Sequence, residues 1–142
     1  VYAISPGGIL AAFDLRNGQR LWERDIGGQQ SPWIAGQEIY QIDNAGQLLC
    51  VSTESGRIHW ATKLPGFQDE KERTGPILWS GPVLAGDRLL VTGTDGRLLT
   101  VAARDGRIIQ GQTLAESFSV APVIADGVVY LLDDDAELSA YR

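Results

Sequence analysis

GPVLAGDRLLVTGTDGRLLTVAARDGRIIQ, residues 81–110, is a series of short apolar runs separated by turn-forming dipeptides. Val83-Leu84-Ala85, Leu89-Leu90-Val91-Thr92, Leu98-Leu99-Thr100-Val101 and Ile108-Ile109 are punctuated by Asp95-Gly96 and Asp105-Gly106. Asn, Asp and Gly tolerate positive φ, so such pairs suit tight hairpin turns, and the β-branched and aliphatic runs between them suit strands. No helical period with start and stop signals runs through the stretch. It predicts four antiparallel strands joined by hairpins.

The same unit recurs on both sides. Ser31-Pro32-Trp33-Ile34-Ala35, Gly81-Pro82-Val83-Leu84-Ala85 and Ala121-Pro122-Val123-Ile124-Ala125 open three copies, and the next apolar runs, from Ile39, Leu89 and Val129, fall together without a gap. Val1-Tyr2-Ala3-Ile4 is that second run in a truncated first copy. Continuing in register, Leu10, Leu48, Leu98 and Leu138 share one column, Gly18, Gly56 and Gly106 another, and Trp22 and Trp60 a third in which Gln110 stands for the next tryptophan. The 17 glycines are therefore turns spaced along a repeat of about 40 residues, and four strands at that period are the signature of a β-propeller blade.

With the strands of a blade lettered A to D from the channel outward, residues 1–26 supply B to D, 31–63 and 80–114 are full blades, and 120–142 supply A to C. Residues 64–79 are an inserted charged loop between the two full blades. This makes fourteen strands, about three and a half blades. The B runs are apolar at nearly every position, as expected of strands covered on both faces by neighbouring blades. Closed propellers have four to eight blades, so the chain is expected to be an arc of a longer ring. The inner strand of the first blade would then lie upstream of Val1, and an outer strand for the last blade would come from the far N-terminus. Alone, the 142 residues are expected to associate through open strand edges or to need the remaining blades.

Composition narrows function by exclusion. No apolar run is long enough to span a bilayer and no signal segment opens the chain, so any membrane attachment would come from an anchor outside it. Twelve basic against eighteen acidic residues give a net charge of −6 with no basic stripe, which argues against nucleic acid as a partner. Cys50, the single cysteine, has no partner for an internal disulfide.

The segment Ala12-Phe13-Asp14-Leu15-Arg16-Asn17-Gly18-Gln19-Arg20-Leu21-Trp22 resembles the repeat motif of propellers of the pyrroloquinoline-quinone (PQQ) type, Ala-x-Asp-x-x-Thr-Gly-x-x-x-Trp. Cys50 to Trp60 repeats it with Ser52 in place of the Asp, and the third copy keeps only Gly106. The insertion from Leu64 to Trp79 and the ending from Asp126 to Arg142 resemble more narrowly the BamB family, specifically its C-terminal half. That resemblance implies an eight-bladed ring held by a lipid anchor at the inner leaflet of the outer membrane. It also implies a non-enzymatic scaffold facing the periplasm, binding the periplasmic domains of BamA, the central barrel subunit, and in the broader reading unfolded outer-membrane proteins. The acidic Asp-x-Asp stretch by which that family is best known to contact the barrel subunit would fall upstream of Val1, and no residue here inherits its role.

Chemistry beyond binding has little support in the residues. A PQQ-dependent dehydrogenase needs a quinone over calcium, hard oxygen ligands, an Asp base and often a vicinal cysteine pair. No such pair is present, and no cofactor, catalytic or metal residue is expected. His59, the only histidine, is read as a packed or half-exposed structural side chain, and Cys50, aligned with Ala12, Thr100 and Ala140, as a small core residue. Asp133-Asp134-Asp135 aligns with other B-to-C hairpin turns and is read as a solvated turn rather than a calcium site. The glycines form no phosphate-binding loop. The best functional candidates are in the insertion: Phe67, Asp69, Glu70, Lys71, Glu72, Arg73 and Trp79, either docking a partner or covering the propeller face as a short helical turn or solvated flap.

Overall fold

A computed structural model describes all residues from Val1 to Arg142 and contains strands and no helix. The first sheet holds β1 (Tyr2–Ile4), β2 (Leu10–Phe13) and β3 (Arg20–Arg24). The second holds β4 (Trp33–Ala35), β5 (Glu38–Ile42), β6 (Gln47–Ser52) and β7 (Ile58–Lys63). A two-stranded hairpin follows, β8 (Phe67–Asp69) and β9 (Thr74–Pro76). The third full sheet holds β10 (Trp79–Ala85), β11 (Arg88–Gly93), β12 (Arg97–Ala102) and β13 (Ile108–Thr113), and the last β14 (Val123–Ala125), β15 (Val128–Leu132) and β16 (Leu138–Tyr141). Within each sheet the strands lie in sequence order and every pairing is antiparallel, so each sheet other than the β8–β9 hairpin is a four-stranded propeller blade or three strands of one.

The blades stack face to face around the inner strands, with β10 lying against β4 and β5 of the blade before it and β14 of the blade after it. Period-two alternation sends neighbouring side chains of one blade to different seams. Ile39, Leu49 and Val51 of the second blade join Leu10, Ala12, Trp22 and Ile26 of the first. Tyr40, Ile42, Leu48 and Cys50 point the other way and join Leu89, Val91, Leu99 and Val101 of the third. Both faces of β5 and β11 are therefore buried beyond their first residues, Glu38 and Arg88, which is why Ile39 to Ile42 and Leu89 to Gly93 are mostly apolar. Each large side chain removed from water at such a seam stabilises by roughly 1.5–3 kcal/mol.

The Gly and Trp columns act across these seams. Gly56 and Gly106 turn with φ of 74° and 78°, and a Cβ on either would come within 2.6 Å and 2.4 Å of the ring of Trp22 and Trp60, respectively. Each indole thus lies on the turn glycine of the next blade and donates its Nε1–H to a carbonyl three residues before it, Trp22 to Thr53 and Trp60 to Ala103, both at 3.0 Å. Glycine serves here for the φ and for the flat seat it leaves the ring.

Sixteen strands replace the fourteen expected, because the insertion is neither a loop throughout nor a helical turn: it forms the β8–β9 hairpin. Two three-residue runs containing Gly75 and Pro76 carry no alternating pattern that would reveal them as strands.

Candidate functional site

The β8–β9 hairpin is fastened at its base and exposed at its tip. Leu64, Ile77 and Trp79 enter the core between the second and third blades, and Trp79 is only 6% exposed. Its indole donates to the Pro65 carbonyl at 2.8 Å, Ile77 N–H donates to the Gly66 carbonyl at 2.8 Å, and Leu64 N–H donates to the Gly46 carbonyl at 3.0 Å. Leu78 N–H bonds the Thr94 hydroxyl, and Thr94 N–H returns a bond to the Leu78 carbonyl, both at 3.0 Å. Trp79, a candidate contact on its sequence, is buried but for 6% of its surface. It holds the hairpin to the blades, because an indole with one satisfied polar atom gains most when the rest of its surface is buried.

Beyond that base the pairs Phe67↔Pro76 and Asp69↔Thr74 close the ladder. Arg73, with φ of 55°, takes the left-handed conformation that the turn requires. Glu70 folds its carboxylate back to accept from Gly66 N–H at 2.9 Å and Phe67 N–H at 3.3 Å, and the Asp69 carboxylate accepts from Glu72 N–H at 3.1 Å. The Arg73 guanidinium lies 5.1 Å from the centre of the Phe67 ring, within cation–π range. Asp69, Glu70, Lys71, Glu72 and Arg73 are all exposed, and none of the chain's ion pairs involves them. Two of the acids are spent on shaping the turn, while Lys71 and Glu72 leave their charges exposed.

A cleft of about 450 Å³ opens beside the hairpin, between Pro65, Phe67 and Trp79 on one side and Asn44 and Lys63 of the second blade on the other. Its lining mixes aromatic rings, amides and one charge of each sign, Lys63 and Asp43. It suits an extended segment with apolar and polar side chains better than a small apolar ligand.

Elsewhere the structure places the remaining sequence candidates. The Asp133 carboxylate accepts from Asp135 N–H and Glu137 N–H at 3.0 and 2.9 Å, and backbone bonds from Asp133 N–H to Glu137 and from Ala136 N–H to Asp133 close the same turn. Asp134 accepts from the hydroxyls of Ser117 and Ser119, and these bonds hold its carboxyl below the usual carboxylate range. Cys50 and His59 meet at one oxygen. Oε2 of Glu38 lies 2.9 Å from the Cys50 sulfur, which donates to it, and 2.9 Å from His59 Nδ1. Burial pushes the Cys50 thiol well above its ordinary value, and the hydrogen bond to Glu38 and its charge push it further. Glu38 escaped the sequence reading because only strand register brings it beside residues 12 and 21 positions away.

The fold and its repeat motif define a β-propeller of the PQQ-like type. The family model described as outer membrane protein assembly factor BamB matches residues 1–62 and 67–142, and the chain belongs to that family. BamB of Salmonella typhimurium is 31% identical over 143 residues, covering 99% of this chain and 34% of that protein. The crystal structure of BamB from Moraxella catarrhalis superposes with a TM-score of 0.72 at 20% identity, over 95% of this chain and 40% of the other. A quinohemoprotein alcohol dehydrogenase from Comamonas testosteroni superposes with a TM-score of 0.61 at 14% identity, over 78% of this chain and 19% of the other, a likeness of fold alone. The chain spans about a third of the length of the curated relatives it matches, less than the half that the resemblance implies.

Proposed function

We propose that this arc belongs to a non-enzymatic scaffold of the machinery that assembles β-barrel proteins into the outer membrane. It would work on the periplasmic side, carried there by a lipid anchor outside these residues, and bind the periplasmic domains of the central barrel subunit, BamA. The family match over nearly every residue carries this reading. The β8–β9 hairpin supports it in physical terms, because a charged projection anchored to the blades beside a mixed cleft offers a partner both orientation and an edge to dock on. Unfolded outer-membrane proteins, extended and alternately apolar and polar, would suit the same cleft.

Co-purification of the full-length protein with the periplasmic domains of the barrel subunit tests the reading. A complex at micromolar concentration is expected, weakened when the tip Asp69 to Arg73 is replaced by a Gly-Ser turn of equal length. No complex with either form would overturn the scaffold role; a complex indifferent to the tip would move the contact to another face. The enzymatic alternative predicts dye-linked alcohol oxidation once PQQ and calcium are added, and none is expected.

A further inference from the structure

The second blade carries three metal-ligating side chains that the scaffold role does not use. Glu38 on β5, Cys50 on β6 and His59 on β7 come from three adjacent strands, and their potential ligand atoms all lie within 4.8 Å of one another. Register explains the convergence. Cys50 pairs with Trp60 and Val51 with Ile58, so His59 is the extra residue of a bulge in β7. A bulge re-aims the side chain it carries, and here it brings an imidazole to the carboxylate that already accepts the thiol proton.

The other blades serve as an internal control. The same bulge recurs between β2 and β3 and between β12 and β13, so the backbone that aims this position is general. The ligands are not. The Glu38 column reads Arg88 and Val128, the Cys50 column Ala12, Thr100 and Ala140, and the His59 column Leu21 and Ile109. Propeller packing is satisfied at these sites by alanine and aliphatic residues, and only one blade carries a thiol, an imidazole and a carboxylate together.

We propose that Glu38, Cys50 and His59 form a binding site for a divalent transition-metal ion of the zinc class, with the fourth coordination position open to solvent. Thiolate with imidazole selects a borderline-soft ion over calcium or magnesium, and three protein ligands with one open position is a recurrent zinc arrangement. Bond lengths of that ion imply separations of roughly 3.3–3.6 Å between tetrahedral ligand atoms. The 2.9 Å contacts to Glu38 Oε2 therefore need to open by about half an ångström, within reach of side-chain rotation. Cys50 is 2% exposed, whereas Glu38 is partly exposed and His59 exposed, so the sulfur forms the floor and the other two the rim. The site opens into a cleft of about 360 Å³ at the seam with the third blade, whose far wall carries Leu84, Asp87 and Arg104. The ion takes the place of the thiol hydrogen that Cys50 shares with Glu38 and of any hydrogen on His59 Nδ1. The Cys50 S–H bond breaks, its proton goes to solvent, the sulfur pair is donated to the metal, and nothing is oxidised. His59 coordinates through Nδ1 as the neutral imidazole: any proton on Nδ1 leaves to solvent, and Nε2 carries the ring's one proton, taken from solvent where the ring began as the Nδ1–H tautomer.

Cobalt(II) titration of the full-length protein, free of any affinity tag and stripped with a chelator, reads the site directly. The expected result is near-ultraviolet thiolate-to-cobalt charge transfer with the visible bands of tetrahedral cobalt, displaced by zinc and weakening as pH falls. Cys50→Ala, the residue of the first and last copies, should abolish the charge transfer. His59→Leu, the residue of the first copy at an exposed position where folding is not at stake, should weaken cobalt binding at least about tenfold. A native protein without charge transfer, or charge transfer that survives either substitution unchanged, would overturn the assignment.

Discussion

The second and the last blades present nearly the same side chains on the same face and bury them to opposite degrees. Tyr40, Ile42, Leu48 and Cys50 correspond by repeat register to Tyr130, Leu132, Leu138 and Ala140. Ile42 is 5% exposed and Leu48 fully buried, whereas Leu132 and Leu138 are 43% and 67% exposed. The difference is the neighbour: the third blade covers the first set, and no sheet lies against the second. Turns and strands are written within each repeat, but the core of a propeller exists only between repeats, so burial belongs to a pair of blades.

Leu48→Ala should produce the largest effect, lowering stability by about 2–5 kcal/mol through lost burial and the cavity left behind. Leu138→Ala should cost less than about 0.5 kcal/mol in these 142 residues. Denaturant midpoints compare the two, and equal losses would break the comparison. In a longer chain with a following blade, Leu138→Ala should become as costly as Leu48→Ala, which would sharpen it.

A second contrast lies in the turn glycines. Gly18 and Gly106 have φ of 72° and 78°, but a Cβ meets nothing within 4 Å at Gly18 and the Trp60 ring at 2.4 Å at Gly106. Gly18→Ala should cost roughly 1–2 kcal/mol of left-handed backbone strain. Gly106→Ala should cost clearly more, because the indole must also leave its seat. Trp60→Phe should be milder, about 1 kcal/mol for the lost bond to the Ala103 carbonyl, provided the phenyl ring keeps the contact. If the two glycine substitutions melt alike, the ring is not seated as described.

The smallest effect concerns the last blade's tether to the chain before it. Ser117 and Ser119 lower the folded-state value of the Asp134 carboxyl, so its contribution is present above the ordinary carboxylate value and is lost as pH falls through the folded one. Asp134→Asn should therefore flatten the acid limb of stability slightly and leave neutral pH nearly unchanged. A pH series of thermal melts reads this; a steeper acid limb in the variant would contradict the sign.

Much of the fold was legible because its signals are local. Asp95-Gly96 and Asp105-Gly106 announce turns, and the Leu10, Leu48, Leu98 and Leu138 column aligns the copies. The hairpin in the insertion was not legible, because its strands are three residues long and are held by Leu64, Ile77 and Trp79 in a core formed by other strands. Trp79 shows the limit well: beside a charged run it looks like a contact, yet its indole is buried and bonded to Pro65. Cys50 and His59 were each visible alone, but their meeting at Glu38 depends on a bulge, and one extra residue in a ladder leaves no trace in composition or spacing.

The blade, its period and the Gly–Trp columns follow from local sequence, since hairpin turns and two-residue alternation are properties of neighbouring residues. Tertiary structure decided which equivalent leucines are buried, that a charged insertion becomes a mounted hairpin, and that a thiol, an imidazole and a carboxylate share one point. Each of these depends on register across strands or on the presence of a second blade, and neither is encoded within a single repeat.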